Sequence, residues 1–279
     1  MDIQERYQRF CDLHDGPGAF VVANAWDGGT ARLLSAIGFS ALATTSAGYA
    51  FARGRQDGVC GLSRVEILEN AREIVKATDL PVTADLEDGF GRDPEACAET
   101  IRLAAAAGLV GGSIEDATGD ANSPIFDFEL AVERVRAAAE AARDLPFLLT
   151  ARAENHLWNH KDLGDTIQRL QAFAEAGADV LYAPGLPNLD AIRSVCNEVD
   201  KPVNVVMGLR PPMFTIAQLA EAGVRRVSVG GSFARAALGA IERAGREVIE
   251  NGTFSYADAA MPGKDIAALM SSAQQDDRA

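Results

Sequence analysis

Short apolar runs alternate with helical stretches eight times along this chain of 279 residues, and that rhythm limits the folds open to it. The runs are Phe20-Val-Val-Ala-Asn24, Ala41-Leu-Ala-Thr-Thr45, Val82-Thr-Ala-Asp85, Gly112-Ser-Ile-Glu115, Phe147-Leu-Leu-Thr-Ala151, Val180-Leu-Tyr-Ala183, Val203-Asn-Val-Val-Met207 and Val227-Ser-Val-Gly230. Each is brief and largely apolar, as strands buried on both faces are. Between them lie alanine- and leucine-rich stretches with helical spacing, including 64–78, 94–107, 131–142 and 163–176. Several end in Ala-Gly, the usual signal for leaving a helix and entering the next strand. Eight such units predict an α/β fold, a (β/α)8 TIM barrel, over an open doubly wound sheet.

The whole chain, 1–279, fits one barrel domain, since barrels of about 250 residues form a single one. A helix over about 3–13 precedes the first unit. Residues 233–251 read as the last barrel helix and 261–272 as an extra helix. Residues 252–279 thus form a helical extension, whose tail from Ser271 frays. An apolar helix with nothing left to cover suggests a subunit contact.

A formal charge of −14 argues against nucleic acid or an anionic membrane as partner, because both reward clustered Lys and Arg. Cysteines 11, 60, 97 and 196 are scattered without CxxC pairing. The N-terminus is polar and acidic, and no apolar run approaches the roughly 20 residues of a membrane helix. Reduced thiols in a cytoplasmic protein follow as the expectation.

The chemistry concentrates at strand ends. In Pro81-Val-Thr-Ala-Asp-Leu-Glu-Asp-Gly-Phe-Gly91 an apolar strand delivers Asp85 and Glu87 into a glycine-rich turn, and alternate strand residues share a face. Acidic groups so close repel one another, and a hard cation relieves this; Mg²⁺ is the first candidate and Mn²⁺ the second. A second acidic pair, Glu115-Asp116, ends another strand, and Arg152-Ala-Glu-Asn155 follows a third. In a parallel barrel those ends form one rim, where substrate and catalytic groups meet. For the distal end of a substrate the candidates are Asn155, Asn204 and Arg210. The i,i+4 pair His156 and His160 lacks the HExxH pattern of a zinc site.

With Asn24-Ala-Trp, Thr45-Ser-Ala-Gly-Tyr49, Asp57-Gly58, Asp85-Leu-Glu-Asp-Gly-Phe-Gly91, Ser113-Ile-Glu-Asp116 and Thr150-Ala-Arg-Ala-Glu154 in order, the chain resembles the isocitrate lyase/phosphoenolpyruvate mutase superfamily. The resemblance implies Mg²⁺ near Asp85, with Glu87 and Glu115 acting directly or through water, and a 2-oxo carboxylate or its enolate on that ion. It implies a catalytic arginine at Arg152 and a carboxylate held by backbone amides of Ser46, Ala47 and Gly48. Asp57 matches an acidic residue on a gating loop. A dimer or tetramer that exchanges its eighth helix is also implied.

Two departures narrow the reaction. Isocitrate and methylisocitrate lyases carry a loop cysteine soon after the second acidic motif, whereas here the stretch reads Ala117-Thr-Gly-Asp-Ala-Asn-Ser-Pro124. Phosphonate-handling members use a Lys-x-Asn element there; Asn122 is near its place, but Asp120 stands at the lysine position and would repel a phosphonate. The expectation is a Mg²⁺-dependent carbon–carbon lyase that cleaves or decarboxylates a small 2-oxo or 2-hydroxy dicarboxylate through an enolate. The alternatives are a P–C mutase or hydrolase on phosphonopyruvate-like substrates, and a non-catalytic homologue that binds 2-oxo acids.

Overall fold

The computed structural model describes residues 1–58 and 61–271, and in it eight parallel strands close into a barrel in sequence order. The strands are β1 (Phe20–Ala25), β2 (Ala41–Thr44), β3 (Val82–Asp85), β4 (Gly111–Glu115), β5 (Leu148–Arg152), β6 (Val180–Tyr182), β7 (Val203–Val206) and β8 (Arg226–Ser228). Closure comes from β1 against β8, with Phe20 opposite Arg226 and Val22 opposite Ser228. Cys60 and the tail from 272 lie outside the described residues.

The helices are α1 (Ile3–Asp15), α2 (Gly28–Ile37), α3 (Ser46–Ala52), α4 (Arg64–Lys76), α5 (Pro94–Ala106), α6 (Phe128–Ala142), α7 (Leu163–Glu175), α8 (Leu189–Glu198), α9 (Ile216–Glu221), α10 (Ser232–Asn251) and α11 (Gly263–Ser271). Their starts are written in the sequence: Asp2 with Glu5, Ser63 with Glu66 and Thr215 with Gln218 form reciprocal capping boxes. Gly108, after α5, sits at φ 91° and turns the chain into β4, a conformation costly for any residue with a Cβ. None of the described helices is long and apolar enough to cross a membrane.

Helix α1 closes the lower end of the barrel. Phe10 is fully buried in a cluster with Val22, Ala41, Ala43, Val110 and Leu148. Its ring meets His14 edge-on at 4.7 Å, and His14 meets Phe20 at 4.9 Å. Burying one such aromatic contributes about 1.5–3 kcal/mol.

Three departures from the sequence expectation have local causes. Residues 46–48 open the short helix α3, because the Thr45 side chain caps the Gly48 amide at 3.2 Å. Strand β8 starts at Arg226 and stops at Ser228, since the amides of Val229 and Gly230 turn inward to Asn24 Oδ1, each at 2.9 Å. The extra helix α11 lies on α2 of its own chain, where Arg32 donates to the Met270 carbonyl at 3.1 Å. Both α10 and α11 are left largely uncovered: Ala234 is the one buried residue of α10, and α11 has none.

Candidate active site

The upper ends of β3, β4 and β5 bring their charged residues together. Arg152, last in β5, places Nη1 3.2 Å from Asp85 Oδ1 and 3.0 Å from Glu115 Oε2, and Nη2 2.9 Å from Glu154 Oε1. Register explains the meeting, because Glu115 and Arg152 are direct neighbours on the β4–β5 ladder. Beneath the guanidinium lies the ring of Tyr182, with its centroid 4.9 Å from the central carbon.

Asp85 is held from its other side. Ser46 Oγ donates to Asp85 Oδ2 at 2.9 Å, and Thr44 Oγ1 accepts from the Asp85 amide at 3.1 Å. The acidic turn that follows is bent sharply, with Glu87 at φ 48° and Phe90 at φ 61°. Each left-handed non-glycine residue costs on the order of 1 kcal/mol, so the shape needs outside support. Arg134 of α6 supplies it: it is 1% exposed and donates to the carbonyls of Asp88, Gly91 and Arg92.

One cation serves several buried carboxylates here. Glu115 is held well above the usual carboxylate range, first by burial, which outweighs the pull of Arg152, and then by Glu154, Asp85 and Glu87. Glu154 is raised by burial as well, against the pull of Arg152. For Arg152 burial works against the charge, but Glu115 and Glu154 more than offset it, and the guanidinium is raised. Asp57 stands on an exposed segment, yet it faces this centre closely enough that partial desolvation and then the Asp85 charge raise it.

Not every expected residue faces the mouth. Asn155 is fully buried, and its Nδ2 donates to Asp165 Oδ2 on α7 at 2.5 Å, so its amide is turned toward that helix. Asn204 sits lower in the barrel, with Nδ2 3.1 Å from Ser228 Oγ and Oδ1 accepting from Arg226 Nε at 2.8 Å. Asp85, Arg152, Tyr182, Asn204 and Arg226 border an interior cavity of about 70 Å³. Arg210 borders a separate cavity between β6, β7 and α8. Asp120 and Asn122 are exposed and bonded to each other, Asn122 N to Asp120 Oδ1 at 2.9 Å.

Sequence reasoning passed over Tyr182, Arg226, Arg134 and Arg169. Arg226, inside the barrel, reaches Asn204 and, at 2.9 Å, Thr150 Oγ1; burial lowers it to about 10. A signal existed for the two helix arginines. Arg134 lies on the stripe Ala131, Val135, Ala138 of α6 and Arg169 on Thr166, Leu170, Phe173 of α7, positions that face the core.

Whether the residues suit a divalent cation can be asked of the donor set. The oxygens of Asp85, Glu87 and Glu115 are hard ligands, and the local excess of buried carboxylates over one arginine is the imbalance a 2+ ion corrects. Among the described residues no three His, Cys, Asp or Glu side chains converge as a protein-built cage. Mg²⁺ is commonly bound through one or two carboxylates, with waters and substrate oxygens for the rest.

Comparison with known proteins bears on the family of the chain. Residues 10–249 match the family model described as phosphoenolpyruvate phosphomutase. An uncharacterised protein of Mycobacterium tuberculosis is 33% identical over 86% of this chain and 88% of its own. The 2-methylisocitrate lyase of Bacillus subtilis is 28% identical over 86% of this chain and 80% of its own. Among solved structures, a Burkholderia cenocepacia protein assigned, without a demonstrated reaction, to the lyases or mutases superposes with TM-score 0.94 at 54% identity, covering 98% of both chains. A 2,3-dimethylmalate lyase superposes with TM-score 0.85 at 25% identity, covering 98% of this chain and 96% of that one. The chain belongs to the phosphoenolpyruvate mutase/isocitrate lyase superfamily.

Proposed function

We propose that the protein is a Mg²⁺-dependent lyase that cleaves or decarboxylates a small 2-oxo or 2-hydroxy dicarboxylate through an enolate. The observation that carries this is the convergence of Asp85, Glu115 and Glu154 on the single cation Arg152 at the rim. Asp85 would hold the ion, with Glu87 and Glu115 next to it or linked by water. When bound, Mg²⁺ supplies Lewis acidity toward the keto oxygen.

The chain's own residues do the remainder. The Ser46 and Ala47 amides, at the open start of α3, orient the carboxylate, while the Gly48 amide is already engaged by Thr45. Arg152 faces the oxygen that gains negative charge as the bond breaks, and its position is set in advance by Glu154 and the Tyr182 ring. Burial raises Glu115, and a bound cation would reverse that shift and leave it a carboxylate. Asp57 stands where a segment closing over the mouth would place it beside Asp85.

A second reading, binding without turnover, is favoured by the thiols. Cys97, buried, and Cys196, half-buried, are both pushed up to about 11, and the 117–124 loop offers no cysteine. Turnover assays with Mg²⁺ across oxaloacetate, methylisocitrate and phosphonopyruvate separate the two. Calorimetric titration of Mg²⁺ with pyruvate into wild type and Asp85→Ala tests the site itself. Equal affinity in both proteins removes Asp85 from it.

We also propose that α10 is covered by a second copy of this chain. Leu238, Ile241 and Ile249 are 47%, 68% and 86% exposed and share one face of it, and a second copy would cover them.

A further inference from the structure

One row of directly paired residues runs round the barrel wall. Arg152 of β5 stands opposite Tyr182 of β6, Tyr182 opposite Asn204 of β7, and Asn204 opposite Arg226 of β8. All four border the interior cavity of about 70 Å³, as do Asp85 and Ser228. Barrel interiors are ordinarily filled by bulky branched side chains. Here hydroxyls, an amide and a guanidinium take their place, beneath the rim where Asp85 meets Arg152.

The hydrogen bonds along this row have a fixed direction. A guanidinium only donates, so Arg226 Nε commits Asn204 Oδ1 as its acceptor at 2.8 Å. That orients the amide, and Asn204 Nδ2 donates to Ser228 Oγ at 3.1 Å. The Ser228 hydroxyl in turn bonds the Tyr182 phenol. Arg226 itself is 4% exposed and is held from another side by Thr150 Oγ1 at 2.9 Å, so the start of the chain is locked in place.

Proton counting shows what the row offers. Ser228 and Tyr182 carry two hydroxyl protons and make one bond between them, and the amide that faces Ser228 presents only N–H. One proton is therefore unclaimed by the row, on a stretch of wall that both residues share with the cavity. The phenol is the stronger acid of the two. An anion in the cavity thus takes the Tyr182 proton, while Ser228 donates to the phenol oxygen. Burial raises the phenol above its ordinary value, so that proton is present throughout the neutral range.

We propose that the Tyr182 hydroxyl contacts the substrate, donating a hydrogen bond to the oxygen that becomes negative as the bond breaks, and that Arg226 aims it through Asn204 and Ser228. This rests on the reading that Asp85 and Arg152 enclose the 2-oxo acid head. Tyr182 then serves the site twice, because its ring also lies under the Arg152 guanidinium. A donor held in advance inside a buried site counts most where charge develops.

Calorimetry on the full chain with Mg²⁺ reads this contact through two probes: pyruvate, whose keto oxygen is neutral, and oxalate, which places a charged oxygen there. The measured quantity is the ratio of their affinities, from which a general loss of folded protein cancels. Tyr182→Phe keeps the ring and removes the donor, and should lower the oxalate preference about tenfold, the increment of one hydrogen bond to a charged group. Asn204→Asp gives Arg226 a carboxylate and turns an acceptor toward Ser228, so the Ser228 proton and then that of Tyr182 are drawn back along the row. It should lower the preference in the wild-type background, and by less in the Tyr182→Phe background, where only its added charge remains. Equal effects in the two backgrounds overturn the aiming by Arg226. An unchanged ratio in Tyr182→Phe, with Arg152→Lys lowering it, overturns the donor and leaves the proposed function standing. A preference that depends on Tyr182 but not on Arg152 or Asp85 supports the donor and overturns the proposed function. Failure of both probes to bind wild type overturns both.

Discussion

Arg169 of α7 places Nη1 3.0 Å from Asp116 Oδ2, and this buried pair anchors the turn that leaves β5. Asp116 Oδ1 accepts from the Glu154 amide at 2.8 Å, and Arg169 also donates to the Phe126 carbonyl and to Asp165. Burial pushes Asp116 up to about 7 even with the arginine beside it. Removing the arginine alone, in Arg169→Met, should destabilise by about 3–5 kcal/mol, because a buried carboxyl and a carbonyl lose their donor. Pairing it with Asp116→Leu should return part of the loss. Urea unfolding of the three proteins checks this, and a double variant no better than the single would show that the pair is not the source.

Arg152 should matter more as charge develops than when substrate binds. Arg152→Lys keeps the charge but cannot reach Asp85, Glu115 and Glu154 with one planar group. For a substrate the enzyme turns over, kcat should fall about 10²–10³-fold, further than KM rises. Steady-state kinetics decide, and a rise confined to KM would make Arg152 an anchor only.

Thiol alkylation should leave turnover largely intact. Burial raises Cys97 and Cys196 to about 11 and raises Cys11 as well, so among the described cysteines few thiolates exist at neutral pH to react. Mass spectrometry after iodoacetamide treatment of the native protein should find Cys97 unmodified. Substrate-protected inactivation would instead bring one cysteine into the site.

Much of this architecture was readable in advance, and the exceptions share a cause. The strand runs were legible because strands buried on both faces are apolar residue after residue, as in Leu42, Ala43 and Leu149. The rim carboxylates were legible because they close those runs. Arg226 was not, since a charge at the start of a strand looks like a loop until Asn204 and Thr150 are brought to it by ladders far apart in sequence. Arg134 stood on an apolar stripe, yet its acceptors are three backbone carbonyls of the 88–92 segment, and carbonyls carry no sequence signal. For Asn155 the chain position at the rim was legible, but the bond of its Nδ2 to Asp165 on the next helix was not.

His14 predicts a dependence on acid. Burial, then the charge of Arg226, lowers it from its ordinary 6.5 to about 3, so the folded protein keeps it neutral while the unfolded chain binds a proton. The unfolded state therefore holds more protons between those values, and stability must fall with pH there. The contribution is fully present above about 6.5 and is lost progressively as pH falls toward about 3, on the order of a few kcal/mol in all. Denaturant midpoints against pH should show a shallower slope in this window for His14→Gln; parallel curves would clear the residue.

A charge placed in the exposed stripe of α10 should separate subunits. Ile241→Asp alters a side chain that is 68% exposed in the single chain, so the isolated fold has no reason to lose stability. Light scattering should then report a smaller particle than wild type. A wild type that is already monomeric, or an unchanged mass, sinks the idea.

The helix beneath the barrel has a consequence for traffic. With Phe10, His14 and Phe20 filling the lower end, the barrel is a vessel with one opening. Substrate, product and solvent share the passage bounded by the residues after β2, β3 and β5. Under the proposed function both fragments of a cleavage would share that one passage with the incoming substrate.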